Sequence, residues 1–140
     1  MPFARILVAI DGSDGSDRAF AKAIELASLT GASLTALTIE GPLPAYAATV
    51  GEVDEVKREK DSFFRALAVG AERQAKEAGL SIDVEIRPGH AAEMIVRRAR
   101  EGGFDLVVVG HKGHFLQDYL LGSTADRVAH HAHCPVMIVK

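Results

Sequence analysis

The chain has 140 residues, enough for one domain whose core needs no disulfide or metal staple. Apolar residues make up 48% and charged residues 25%, the balance of an ordinary globular protein. The net charge of -3 at pH 7 supplies no basic field for nucleic acid, and no apolar stretch approaches the length of a membrane span.

Cys134 is the single cysteine, so an intramolecular disulfide is excluded and a reducing compartment fits. The N-terminal apolar run ends at Asp11 with no long hydrophobic region and no small-residue cleavage site, which reads as a strand rather than a leader. The expected location is the cytoplasm.

In chain order, the first element is the strand "RILVAI" (Arg5–Ile10), nearly continuous in apolar residues as a strand buried on both faces is. A helix follows, with Ala19, Phe20, Ala23, Ile24 and Ala27 on one face and Gly31 as its stop. The strand "SLTALTI" (Ser33–Ile39) comes next. After it "EGPLPAYAATVGE" (Glu40–Glu52), with two prolines, reads as a long loop of the kind that often carries function.

Phe64, Leu67, Ala68, Ala71, Ala75 and Ala78 form the apolar stripe of a second helix, closed by Gly79. "SIDVEI" (Ser81–Ile86) alternates, with Ile82, Val84 and Ile86 on one side and Asp83 and Glu85 on the other, the pattern of a half-exposed edge strand. Ala92, Ile95, Val96 and Ala99 mark a third helix, closed by Gly102 and Gly103. "DLVVVG" (Asp105–Gly110) and "PVMIVK" (Pro135–Lys140) are further buried-type strands, with a short helix from about Ser123 to about His131 between them. The basic groups "KREK" and "RRAR" fall in helical patterns with acids nearby and read as solvated faces.

The order β-α-β-α-β-α-β-α-β predicts a single domain over residues 1–140, of α/β class: a doubly wound five-stranded parallel sheet in the order 3-2-1-4-5, with helices on both faces. Ligands in such sheets bind beyond the carboxyl ends of the strands where strand order reverses. That crevice brings together "AIDGSDGS" (Ala9–Ser16) and "VGHKGH" (Val109–His114), both glycine-rich and polar.

Asp11 there has two readings: a carboxylate for ribose hydroxyls or a metal, or an Asx turn leading into a helix capped by Ser13, Asp14 or Ser16. Gly110 and Gly113 permit a sharp turn and close backbone approach to a ligand. Gly122 precedes Ser123 and Thr124 at a helix start, where free N–H groups and the helix dipole favour an anion, and Lys112 adds positive charge. The alternative is that the glycines end a strand and Ser123 caps a helix.

Other motifs are missing. The sequence has no G-x-x-x-x-G-K-[ST], no G-x-G-x-x-G after the first strand and no G-x-S-x-G. "DGSDGSD" lacks the glutamate of a calcium loop. His130 and His131 point different ways on a helix and His133 and Cys134 stand just before a strand, so helix-end histidines and a small buried cysteine are the expected reading rather than zinc. His111 and His114 flank the crevice, and His90 opens the third helix. No catalytic triad is evident.

The segments "ILVAIDGSDGSDRAFAKAIELA" and "DLVVVGHKGHFLQDYLLGSTADRVAHHAHCPVMIV" resemble the opening and closing halves of universal stress proteins, and the likeness spans essentially the whole chain. Nucleotide-binding members carry G-x2-G-x9-G-[ST]. Here Gly110, Gly113, Gly122 and Ser123 match it, but eight residues, His114 to Leu121, stand where the pattern has nine.

The resemblance implies an ATP site. Ala9, Ile10 and Asp11 would line the adenine and ribose pocket. Thr38 and Ile39 would meet adenine through the backbone. Val109, Gly110, Lys112 and Gly113 would flank ribose and the α-phosphate, and Gly122, Ser123 and Thr124 would take the outer phosphates. Mg²⁺ or Mn²⁺ would ride on the triphosphate. The resemblance also implies a homodimer through the C-terminal strand (Pro135–Lys140), an unidentified protein partner, and a nucleotide-dependent regulatory role in the stress response, with at most slow ATP hydrolysis or autophosphorylation on Ser123 or Thr124. The other readings are a dimeric stress-related interaction protein that binds no nucleotide, and a small-molecule hydrolase or transferase on the same fold.

Overall fold

The computed structural model describes residues 3–41, 50–111 and 122–140. The elements follow as β1 (Arg5–Ala9), α1 (Asp14–Thr30), β2 (Ser33–Glu40), α2 (Val50–Glu77), β3 (Asp83–Pro88), α3 (Ala91–Glu101), β4 (Leu106–Gly110), α4 (Ser123–His131) and β5 (Val136–Val139). The five strands form one sheet in the order β3-β2-β1-β4-β5, every pair parallel. The predicted order is the observed one.

The central strands are apolar on both sides because both faces carry a core. Ile6, Val8 and Ile10 point to one face, where Phe20, Ala23 and Ala27 of α1 and Ala71 and Ala75 of α2 meet them. Leu7 and, from β4, Val107 and Val109 point to the other, against Ile95 and Ala99 of α3 and Val128 of α4. Ile6, Leu7, Val8, Val107 and Val108 are fully buried, which is why these runs show no period-two alternation.

Local chemistry sets the helix ends. Ser13 caps α1, its side chain accepting from Ser16 N, while Asp14 and Asp17 in the first turn complement the dipole. Gly31 ends the helix in the left-handed conformation, φ 75°.

Three details differ from the sequence expectation. The segment read as a loop to Glu52 gives way to α2 at Val50, well before the apolar stripe begins at Phe64. Ile86, placed on the buried side of β3, is 42% exposed. Its neighbour Glu85 is instead held inward by Arg98, whose Nε and Nη2 donate to the two carboxylate oxygens at 2.7 and 2.9 Å. β5 is the other edge of the sheet, and Val136, Met137, Ile138 and Val139 are all only partly buried, not enclosed on both faces.

Candidate functional site

Strand order reverses between β1 and β4, so the chain leaves their carboxyl ends in opposite directions and opens a crevice. A pocket of about 280 Å³ occupies it. Its floor is apolar, with Leu37, Ile39, Ile95 and Val109. Its polar wall is made by the turn after β1 and the start of α4: Asp11, Ser13, Ser16, Ser123 and Thr124.

The β1–α1 turn is fixed internally. Ser13 N donates to Asp11 Oδ1 at 2.8 Å, the Asx turn, and Asp11 N donates to Ser16 Oγ at 3.1 Å. Ser16 N donates to Ser13 Oγ at 3.2 Å. Gly12 sits between them at φ +84°, a conformation that glycine adopts at no steric cost. Both sequence readings of Asp11 are therefore compatible. One carboxylate oxygen builds the turn, while the residue remains exposed at the pocket wall with its second oxygen available.

Three helix starts converge on this cavity. α1 brings Ser13 and Ser16, α3 brings Ala91, and α4 brings Ser123, Thr124 and Ala125. Their caps differ. Ser13 fills that of α1, whereas His90 before α3 makes no side-chain cap bond and Gly122 before α4 has no side chain to offer. The first helical bonds are Met94 N to His90 O and Asp126 N to Gly122 O, both 2.9 Å. The N–H groups of residues 91–93 and 123–125 thus have no intrahelical acceptor. Two unfilled helix starts beside one pocket form an anion-binding arrangement.

Gly110 has a packing reason for being glycine. A Cβ there would lie 2.8 Å from both the carbonyl carbon and oxygen of Gly15. The first turn of α1 thus rests directly on the end of β4, which draws the two halves of the crevice together.

The segment after β4 is tied at its ends. His111 N donates to Val139 O at 2.8 Å, continuing the β4–β5 ladder, and Gly122 N donates to His111 O at 2.8 Å. The one-residue deficit relative to G-x2-G-x9-G-[ST] falls between these tied ends.

Of the residues singled out by sequence, Ala9, Ile10, Asp11, Ile39, Val109, Gly110, Gly122, Ser123 and Thr124 line the pocket together. Lys112 and Gly113, and also His114, lie outside the described residues. Thr38 is fully buried and does not line the pocket; Leu37 and Ile39, its neighbours on the strand, do. The Thr38 hydroxyl has no hydrogen-bond partner among the described residues.

Sequence reasoning missed Leu37, Ala91, Ile95 and Ala125 as wall residues. Among the described residues no group of three or more His, Cys, Asp or Glu side chains is placed to hold a metal ion, and no helix is long and apolar enough to cross a membrane. His130 Nδ1 lies 2.8 Å from Asp126 O and 3.4 Å from Asp126 Oδ1, a contact within α4. Cys134 is partly buried, and burial together with the nearby Asp105 charge raises its thiol pKa.

Comparison with known proteins agrees with this architecture. Residues 2–140 match the model of the universal stress protein family. The chain is 33% identical over 147 aligned positions, covering 99% of each chain, to universal stress protein YxiE of Bacillus subtilis (strain 168). Universal stress protein UspA from Lactobacillus plantarum superposes with a TM-score of 0.86 at 24% identity, covering 100% of this chain and 99% of that one. A crystal structure of a universal stress protein in complex with cAMP superposes with a TM-score of 0.74 at 32% identity, covering 100% and 99%.

Proposed function

The chain belongs to the universal stress protein family, and from that premise we propose that it is an ATP-binding regulatory module of the stress response rather than a fast enzyme. The observation that carries the reading is the pair of unfilled helix starts, at Ala91 and Ser123, opening onto one pocket with an apolar floor. An adenine nucleotide has that same division, an apolar base and an anionic tail. The cAMP complex of a relative supports a nucleotide of this class.

In this reading the base lies over Leu37, Ile39 and Ile95, between the backbone of Ile39 and that of Ala9 and Ile10. Asp11 accepts from ribose hydroxyls through its free oxygen. Gly122 and the N–H groups and hydroxyls of Ser123 and Thr124 hold the outer phosphates, and Val109, Gly110, Lys112 and Gly113 are assigned to ribose and the α-phosphate. Mg²⁺ or Mn²⁺ is carried on the triphosphate. Asp11 is the only ionisable side chain lining the pocket among the described residues, and half of its carboxylate is engaged in its own turn. Such a site supports binding, with hydrolysis or phosphorylation of Ser123 or Thr124 as slow side reactions.

The apolar edge of β5 fits pairing with a second copy through residues Pro135–Lys140. The cytoplasm fits a chain with one unpaired cysteine.

Calorimetric titration of nucleotide-stripped protein with Mg·ATP, AMP and cAMP tests the function. The expected result is a Kd for ATP on the order of micromolar, about -8 kcal/mol, weakened at least several-fold for AMP. No heat and no rise in melting temperature with any of the three overturns it.

A further inference from the structure

A second concavity, about 680 Å³, lies between α3 and α4, on residues none of which line the nucleotide pocket. Its floor is small and apolar, with Ala92 and Val96. Its walls are charged. On α3, Glu93, Arg97 and Arg100 follow at i, i+4 and i+7 and so share one face. On α4, Arg127 and His131 are at i, i+4 and share another.

The three arginines are not equivalent. Arg97 Nη2 donates to Glu93 Oε1 at 2.9 Å, so this pair is internally neutral. The side chains of Arg100 and Arg127, one on each helix, have no ion pair or hydrogen bond among the described residues. Exposed arginines are ordinarily solvated and contribute little. Here two lie unneutralised on opposite walls of one groove, in a chain whose net charge is -3. The lining carries Arg97, Arg100 and Arg127 against Glu93 and Glu101, a net formal charge of +1 with the histidines neutral, opposite in sign to that of the whole chain.

We propose that this groove docks an acidic peptide segment of a partner protein, whose carboxylates pair with Arg100 and Arg127. Guanidinium groups take carboxylates in two-pronged fashion, and the Ala92–Val96 floor accepts an apolar side chain between them. Nucleic acid suits the groove less well. No Phe, Tyr or Trp lines it for base stacking, and one unpaired guanidinium on each wall offers two separate charges rather than a track along a phosphate backbone. The docking is independent of the nucleotide reading, since it needs nothing in the first pocket.

The test is fluorescence anisotropy on nucleotide-free full-length protein with a short labelled peptide alternating glutamate and leucine. A lysine–leucine peptide and a labelled single-stranded oligonucleotide serve as competing probes. The expected result is saturable binding of the acidic peptide only, weakened about tenfold or more by Arg100→Glu and by Arg127→Glu. Lys22→Glu on α1 makes the same change in net charge away from the groove and should leave binding unaltered. Both arginines are exposed, so the variants should fold; Arg100→Gln provides a milder version if circular dichroism shows otherwise. No peptide binding, equal binding by wild type and both reversal variants, equal loss with Lys22→Glu, or tighter binding of the oligonucleotide would each overturn the proposal.

Discussion

Gly110 and Gly15 touch backbone to backbone. A Cβ on Gly110 would fall 2.8 Å from the carbonyl carbon and oxygen of Gly15, closer than any relaxed contact. Main chain cannot turn aside as a flexible side chain can. Gly110→Ala must therefore push α1 off the end of β4, at a cost of about 1–3 kcal/mol, the usual range for overpacking. Urea or thermal unfolding should show this loss. Nucleotide affinity should fall with it, because the displaced turn carries Asp11 and Ser13. A variant as stable as wild type would show that the contact relaxes freely.

Asp11 builds a turn and, in the proposed site, faces the ribose, and substitution can separate the two roles. Its Oδ1 accepts from Ser13 N at 2.8 Å, and an asparagine oxygen can do the same. Asp11→Asn should leave the melting temperature nearly unchanged while weakening Mg·ATP binding several-fold. Asp11→Ala removes the turn acceptor as well and should cost roughly 0.5–1.5 kcal/mol of stability. If both variants bind nucleotide like wild type, Asp11 serves the turn alone.

Glu85 on β3 is joined to Arg98 on α3 by two hydrogen bonds, with Arg87 Nε a further 3.1 Å contact. The Arg98 guanidinium beside it holds its carboxyl below the usual glutamate value, against the opposing effect of burial. A carboxyl whose pKa is depressed on folding binds its proton more readily in the unfolded chain. Its stabilisation is complete above the ordinary glutamate pKa and is lost as pH falls through the lower, folded value. Glu85→Gln should thus destabilise at pH 7 by about 1–3 kcal/mol, and the gap from wild type should close in acid. Urea midpoints across pH 7 to pH 3 provide the check. A gap independent of pH would mean packing, not charge, is lost.

The strand order and the location of the crevice were legible because they depend on patterns that burial on two faces imposes directly. "RILVAI" and "DLVVVG" are unbroken apolar runs, and Ile6–Val8 and Val107–Val108 are indeed fully buried. The start of α2 was not legible. From Val50 through "KREKD" the only apolar side chains are Val50, Val53 and Val56, with five charged residues following in a row, too short a stripe to announce a helix there.

At the pocket, Asp11, Ser123 and Thr124 stood out chemically, whereas Ile95 and Ala91 look in sequence like any residue of a core stripe. Thr38 was assigned with Ile39 through the resemblance, as a backbone contact, yet the side of the pleat decides which neighbours reach the wall, and there it is Leu37 and Ile39. Gly110 was read as room for a ligand. Its nearest constraint, the backbone of Gly15, lies far away in sequence and leaves no local trace.

The bond from Gly122 N to His111 O also bears on how such a protein can be altered. It fastens the stem of the intervening segment, so that segment can lengthen or shorten without passing the change to α4. Closing a longer loop costs only about 0.6 kcal/mol per doubling of length. The stem is therefore a natural graft point, where foreign sequence can be exchanged beside the retained pocket.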